Sequence, residues 1–171
     1  KDLIMSASRV VLPGVGAFGS AMEKIRNTIP MNILEDEVLK NKKPFMGICV
    51  GMQILADRGQ EFGDHKGFGW IPGTVVKIDS QELPSLHIGW NDIKIIKDLP
   101  LFSGLSDFKD FYFVHSFVFE VKNNENIIAQ TEYGSMFNSV IAKDNIFGIQ
   151  FHPEKSQKAG QLILKNFLEN R

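Results

Sequence analysis

A chain of 171 residues, 43% hydrophobic and 23% charged, is long enough to bury a core and ordinary for a globular protein. Its formal net charge of −1 lacks the basic surplus of a general nucleic-acid binder, and no apolar run reaches membrane-spanning length. The single cysteine, Cys49, excludes an internal disulfide and fits a reducing, cytoplasmic setting. The start, "KDLIMSASRVV", has neither the long apolar stretch nor the cleavage pattern of a signal peptide. It opens on Lys1 rather than Met, which fits a start inside a longer natural chain.

Arg9–Pro13 ("RVVLP") is a short apolar run closed by Pro and Gly, which predicts a buried strand. A glycine-rich turn, "GVGAFG", follows. "SAMEKIRNTI" reads as a helix with Met22, Ile25 and Ile29 on one face. Pro30 interrupts, and "MNILEDEVLKN" resumes the helical pattern. "PFMGIC" is a second apolar run, followed by helical "VGMQILADR". Strand, turn and helix thus occur twice, as in a parallel sheet flanked by helices. In the middle of the chain the pattern shifts. There, "GTVVKID", "SLHIGWN", "IKII", "FYFVHSFVFEV", "NIIAQTE", "MFNSVIA" and "NIFGIQF" are β-branched and aromatic runs cut by Gly, Pro and Asp. They predict antiparallel hairpins or a mixed sheet. "SQKAGQLILKNFLENR" closes the chain as an amphipathic helix, with Ser156 as N-cap and Leu162, Ile163, Phe167 and Leu168 as its apolar face. With no repeat, linker or low-complexity segment, residues 1–171 read as one domain.

Cys49 sits in Gly47-Ile48-Cys49-Val50-Gly51, a G-x-C-x-G pattern with the form of a nucleophile elbow. A sharp strand-to-helix turn pushes the side chain out of the sheet, and flanking glycines remove side chains that would clash in the bend. A following helix N-terminus would favour thiolate and offer N–H groups, beginning with that of Val50, to an oxyanion. The plainer reading is a small buried hydrophobe. A base is therefore needed, and four histidines are available. His65 lies in a polar turn and reads as solvated, while His87 and His115 lie in strand-like runs. His152 ends "NIFGIQF", and Glu154 falls two residues on, on the same side of an extended chain. Glu154 can then hold the far ring nitrogen, as the third member of a catalytic triad does; the plainer reading is a surface His–Glu pair. The turn "PGVG" at Pro13–Gly16 lies on the same sheet edge as the elbow. It could complete an oxyanion hole, or be an ordinary tight turn. The lone cysteine and scattered histidines have no metal-ligand spacing, so no metal is expected.

Taken together, "PGVGAFG", "GICVGMQ", "HIGWN", "YFVHSF" and "GIQFHPEKS" resemble the class I (triad) glutamine amidotransferases, in that family's order and over nearly the whole chain. "PGVG" with "GWN" is most similar to the glutaminase subunits of imidazole glycerol phosphate synthases. The resemblance implies an α/β, flavodoxin-like fold: a mixed, mostly parallel sheet flanked by helices, with an added antiparallel region. It implies Cys49 as nucleophile, His152 as general base and acid, and Glu154 as its orienter. The oxyanion hole would be formed by Val50 N–H with Gly14, Val15 and Gly16. Gly51, Gln53, Glu61, His115 and Ser116 would bind L-glutamine, without a cofactor. Trp90 and Lys155 would lie at the interface and ammonia passage to a (β/α)8 cyclase subunit, the partner in a heterodimer serving histidine synthesis. Plainer readings stand beside these: Glu61 as a solvated loop carboxylate, His115 with Ser116 as an internal strand pair, Trp90 as core, and Lys155 as solvated.

Two departures stand out. The class begins with a further βα unit carrying a "Y-G-x-G-N"-like stretch that has no counterpart in residues 1–171, and Val50 replaces the usual Leu. The alternatives are a paralogous glutaminase feeding a surface-sugar amidotransferase, a cysteine peptidase or γ-glutamyl hydrolase using the same elbow, and a non-catalytic interaction subunit.

Overall fold

The protein is described from a computed structural model over residues 1–105 and 110–169. The apolar run at 45–49 is buried at every position, as a strand covered on both faces must be. The elements around it are α1 (Asp2–Ser6), β1 (Val10–Gly14), α2 (Phe18–Thr28) and α3 (Met31–Glu35), the last running into a π-helical turn at Asp36–Lys40. Next come β2 (Phe45–Cys49), α4 (Val50–Gln53), β3 (Arg58–Gly59), β4 (His65–Lys66), β5 (Gly73–Lys77), β6 (His87–Asp92) and β7 (Lys94–Ile95). They are followed by β8 (Asp110–His115), β9 (Phe117–Val121), β10 (Ile127–Tyr133), β11 (Ser135–Lys143), β12 (Ile146–Ile149) and α5 (Gln157–Glu169).

A six-stranded sheet runs β1-β2-β12-β11-β10-β7. β2 pairs in parallel with β1 on one side and β12 on the other, and the β12–β11–β10–β7 half is antiparallel. A second sheet runs β4-β3-β5-β9, and β6 pairs with β8 as a separate ribbon. α2 buries Met22 and packs Ile25 against the core, as its periodicity predicts.

Three details differ from the sequence reading. The helix after Cys49 is a single turn, Val50–Gln53, rather than one running to Arg58. The carbonyls that would extend it are claimed by a distant loop: Ile54 C=O accepts Phe68 N–H, Leu55 C=O accepts Trp70 and Ile71 N–H, and Ala56 C=O accepts Gly69 N–H. The run "FYFVHSFVFEV" is two strands, parted at Ser116, because β8 pairs with β6 and β9 with β5. On α5, Ile163 and Phe167 are buried but Leu168 is 57% exposed; the last two residues of the expected helix lie outside the described residues.

Candidate active site

The two-sided parallel pairing brings β1 and β2 into register as Leu12↔Gly47 and Gly14↔Cys49. The glycines make this possible. A Cβ on Gly47 would lie 2.2 Å from the Gly51 carbonyl oxygen, and one on Gly51 would lie 1.9 Å from the Leu12 carbonyl oxygen. Cys49 itself adopts φ 54° and ψ −113°, a conformation sparsely populated by residues with a side chain and typical of functional turns. The elbow is therefore real and strained.

The thiol is held from three directions. It lies 3.9 Å from Val114 O, Gln150 Nε2 donates to it at 3.7 Å, and Val50 N–H also bonds it. Burial pushes its pKa up to about 11, against which the Val50 and Gln150 donors act. This corrects the expected thiolate bias: a four-residue helix has little dipole to offer, and desolvation wins. At neutral pH the resting group is a thiol, and ionising it requires a base close by.

His152 is buried and lines the same pocket, of about 460 Å³, as Cys49. Its Nδ1 lies 2.7 Å from Glu154 Oε1. Because the carboxylate accepts, Nδ1 carries the proton and Nε2 is left as the free, basic nitrogen. Among the described residues, Nε2 is buried with no hydrogen-bond partner, an unusual state for a ring nitrogen unless a ligand or a catalytic contact completes it.

The other predicted residues fall around this pair. Val15 and Gly16, from the turn after β1, line the pocket mouth; Val15 is 82% exposed, and Gly16 has φ 91° with nothing near its missing Cβ. Gly14 pairs with Cys49 across β1 and β2 and does not itself line the pocket. Gln53 is buried, with Nε2 donating to Phe117 O at 3.0 Å and to Gln150 Oε1 at 3.2 Å. Glu61 reaches the pocket wall, one oxygen accepting Phe18 N–H at 2.9 Å where α2 begins. It is thus a cap on α2 as well as a pocket carboxylate, not a solvated loop residue. Ser116 lines the pocket where β8 gives way to β9. Lys155 lines the same pocket while exposed to solvent, and Trp90 lies outside it: Trp90 is 49% exposed and packs edge-on against Tyr112, whose ring carries the Lys155 ammonium at 5.7 Å. His65 is half-buried against Gly19 rather than solvated.

Sequence reasoning missed Gln150. It stands two residues before His152, so strand alternation could have placed it on the same side.

His115 lines the pocket, yet both its ring nitrogens are engaged within the protein. Nδ1 contacts Phe117 O and Nε2 contacts His87 Nδ1, each at 3.0 Å. A carbonyl only accepts, so the chain has one consistent direction: His115 Nδ1–H to Phe117, His87 Nδ1–H to His115 Nε2, and Asn91 Nδ2–H to His87 Nε2 at 3.3 Å. His87 is further stacked between Phe113 and Tyr133. Burial pushes His115 down to about 3 and His87 to about 4, from an ordinary 6.5. The unfolded chain binds protons below pH 6.5 that the folded pair refuses. Their contribution is therefore complete above 6.5 and is lost as pH falls toward 4, costing about 1–3 kcal/mol. Ring-resolved NMR titration checks this; either histidine titrating near 6.5 in the folded protein would overturn it.

Among the described residues no helix is long and apolar enough to cross a membrane, and no group of three or more His, Cys, Asp or Glu could hold a metal ion.

Residues 3–170 match the family model "Glutamine amidotransferase class-I". The chain belongs to the class-I glutamine amidotransferases. Among curated relatives, the imidazole glycerol phosphate synthase subunit HisH of Methanocaldococcus jannaschii is 48% identical over 168 residues, covering 97% of this chain and 82% of that protein. The HisH subunit of Bdellovibrio bacteriovorus is 44% identical over 174 residues, covering 98% and 84%. Two solved structures share this fold. PurLQS from Thermotoga maritima gives a TM-score of 0.69 at 17% identity, covering 94% of this chain and 78% of that one. The glutaminase domain of Trypanosoma brucei CTPS with bound acivicin gives 0.63 at 14%, covering 99% and 74%. The expected mixed sheet flanked by helices, with an added antiparallel region, is thus the fold of this class-I amidotransferase; the sheet is not mostly parallel, because the β12–β11–β10–β7 pairings are antiparallel and only β1–β2 and β2–β12 are parallel.

Proposed function

We propose that this chain is the glutaminase subunit of a synthase of histidine biosynthesis, releasing ammonia from glutamine for a cyclase subunit. The observation that carries this reading is Cys49, on a strained glycine-flanked elbow, sharing one pocket with a buried His152 whose far nitrogen is held by Glu154. The names of the HisH relatives favour the histidine pathway over a surface-sugar synthase.

His152 Nε2 takes the Cys49 proton as the sulfur attacks the side-chain amide carbon of glutamine. The developing oxyanion is met by Val50 N–H and by backbone of the Gly14–Gly16 turn. His152 then protonates the departing ammonia. Water, activated by the same imidazole, hydrolyses the γ-glutamyl thioester to glutamate. Glu154 keeps the ring in the tautomer this cycle needs. Gln53, Glu61 and Ser116 frame the substrate, with Gly51 giving the elbow its close approach. Glu61, with one oxygen spent on Phe18, offers the other to the α-amino group. His115, with both nitrogens engaged, contributes a neutral wall.

The partner is a (β/α)8 cyclase subunit, docked on the exposed face that carries Ile88, Trp90 and Lys155 beside the pocket. Residues 1–171 act as one amidotransferase unit in this assembly.

The test is glutamate formation from glutamine, alone and with a cyclase subunit and its ribonucleotide ligand, with Cys49→Ala as blank. Stimulation by the partner that vanishes in the blank is the expected result. A Cys49-dependent basal rate without stimulation would keep the glutaminase and reassign its partner; no turnover under any condition would overturn the reading.

A further inference from the structure

His152 belongs to neither a helix nor a strand, at φ −97° and ψ 98°, yet the proposed chemistry needs its ring fixed. Its backbone is tied at both ends. The N–H donates to Tyr112 C=O at 2.8 Å, and the C=O accepts Lys155 N–H at 3.1 Å and Ser156 Oγ–H at 2.6 Å. The Ser156 oxygen in turn accepts Tyr112 N–H at 2.9 Å. A hydroxyl has one proton, and of these two neighbours only the His152 carbonyl can accept it, so the direction of every bond is forced. The result is a closed ring through Tyr112, His152 and Ser156, which joins the histidine's turn to β8.

Ser156 was expected to cap α5. Its hydroxyl turns away from the helix instead, and Gln157, the first residue of α5, takes φ 49°. Ser156 is 1% exposed, so no water substitutes easily for its hydroxyl. α5 presses the same turn from behind: a Cβ on Gly160 would lie 1.8 Å from Pro153 O. The turn is therefore backed by a helix and tied in front to a strand, and one buried hydroxyl makes the tie.

We infer that Ser156 is a positioning residue for His152, its hydroxyl locking the histidine backbone to Tyr112 of β8 so that Nε2 faces the pocket. This rests on the glutaminase reading for its kinetic consequence, but not for its geometry. Misplacing a catalytic group by about 1 Å typically costs about 10²-fold. Removing the hydroxyl also leaves the part-buried Tyr112 N–H without its partner.

The experiment compares wild type with Ser156→Ala, Ser156→Thr and Ser156→Cys in the full chain with its synthase partner. With Ser156→Ala, kcat for glutamine hydrolysis should fall about 10–100-fold while KM stays within about twofold. Ser156→Thr, which restores the hydroxyl, should recover most of the loss. Ser156→Cys, near in size but a poor donor, should behave like Ala and carries the test if the Ala variant does not fold. A variant that folds without the hydroxyl and keeps wild-type kcat would overturn the proposal. A second readout is independent of turnover: in Ser156→Ala the ring signals of His152 should shift and broaden while those of His87 stay put. Unchanged His152 signals would overturn the proposal. Absent glutaminase activity in wild type, with the His152 signals responding as expected, would count against the glutaminase reading alone.

Discussion

Cys49→Ser is expected to lose roughly 10⁴-fold or more of glutamine turnover while leaving the fold intact. The pocket that holds the thiol is buried enough to push its pKa up to about 11, so in the proposed mechanism it ionises only as its proton passes to His152. A serine hydroxyl starts far less acidic and would face the same desolvation, while offering a poorer nucleophile. The donors from Val50 and Gln150 that steady sulfur lower that barrier only in part. Glutamine should still bind, since the substitution changes one atom in the pocket wall. The measurement is kcat with the partner present, alongside calorimetric binding of glutamine. Turnover within about tenfold of wild type would remove Cys49 from the nucleophile's role.

Gly51→Ala is expected to act on the fold itself, costing about 3 kcal/mol or more out of a total of about 5–15 kcal/mol. The added carbon would lie 1.9 Å from the Leu12 carbonyl oxygen, and both are backbone, one on β1 and one in the turn after Cys49. Neither can rotate away as a side chain would. Relief requires β1 to part from β2, which dismantles the register that sets Gly14 beside Cys49. Gly16→Ala is the informative contrast: its Cβ meets nothing within 4 Å, and only its φ of 91° resists. Urea unfolding should show a large fall in midpoint for Gly51→Ala and a modest one for Gly16→Ala. A wild-type midpoint for Gly51→Ala would contradict the close approach.

The elbow and the His–Glu pair were legible in the sequence because each is local. Gly47, Cys49 and Gly51 sit within five residues, and His152 and Glu154 are two apart, so the pattern already contains the geometry. What escaped was settled by distant partners. The length of α4 depends on which N–H groups reach the Ile54 and Leu55 carbonyls, and those come from residues 68–71. The break in "FYFVHSFVFEV" at Ser116 depends on two strands, β6 and β5, competing for one run. Ser156 has the composition of an N-cap, and only the arrival of Tyr112 redirects its hydroxyl. The His87–His115 pair needs β6 and β8 in register. The thiol's upward shift likewise follows from burial, and the Gln150 donor that opposes it comes from far along the chain.

The placement of β12 has a consequence for how the protein comes into being. Gln150, which steadies the Cys49 sulfur, comes 101 residues after it, and β12, which seals the second edge of β2, directly precedes Gln150. Closing so long a loop is entropically slow. Until β12 docks, the thiol sits at the end of a strand with one open edge. The donor to the thiol and the buried His152 ring that shares its pocket therefore arrive together, on one short segment at residues 150–152, once β12 has closed against β2.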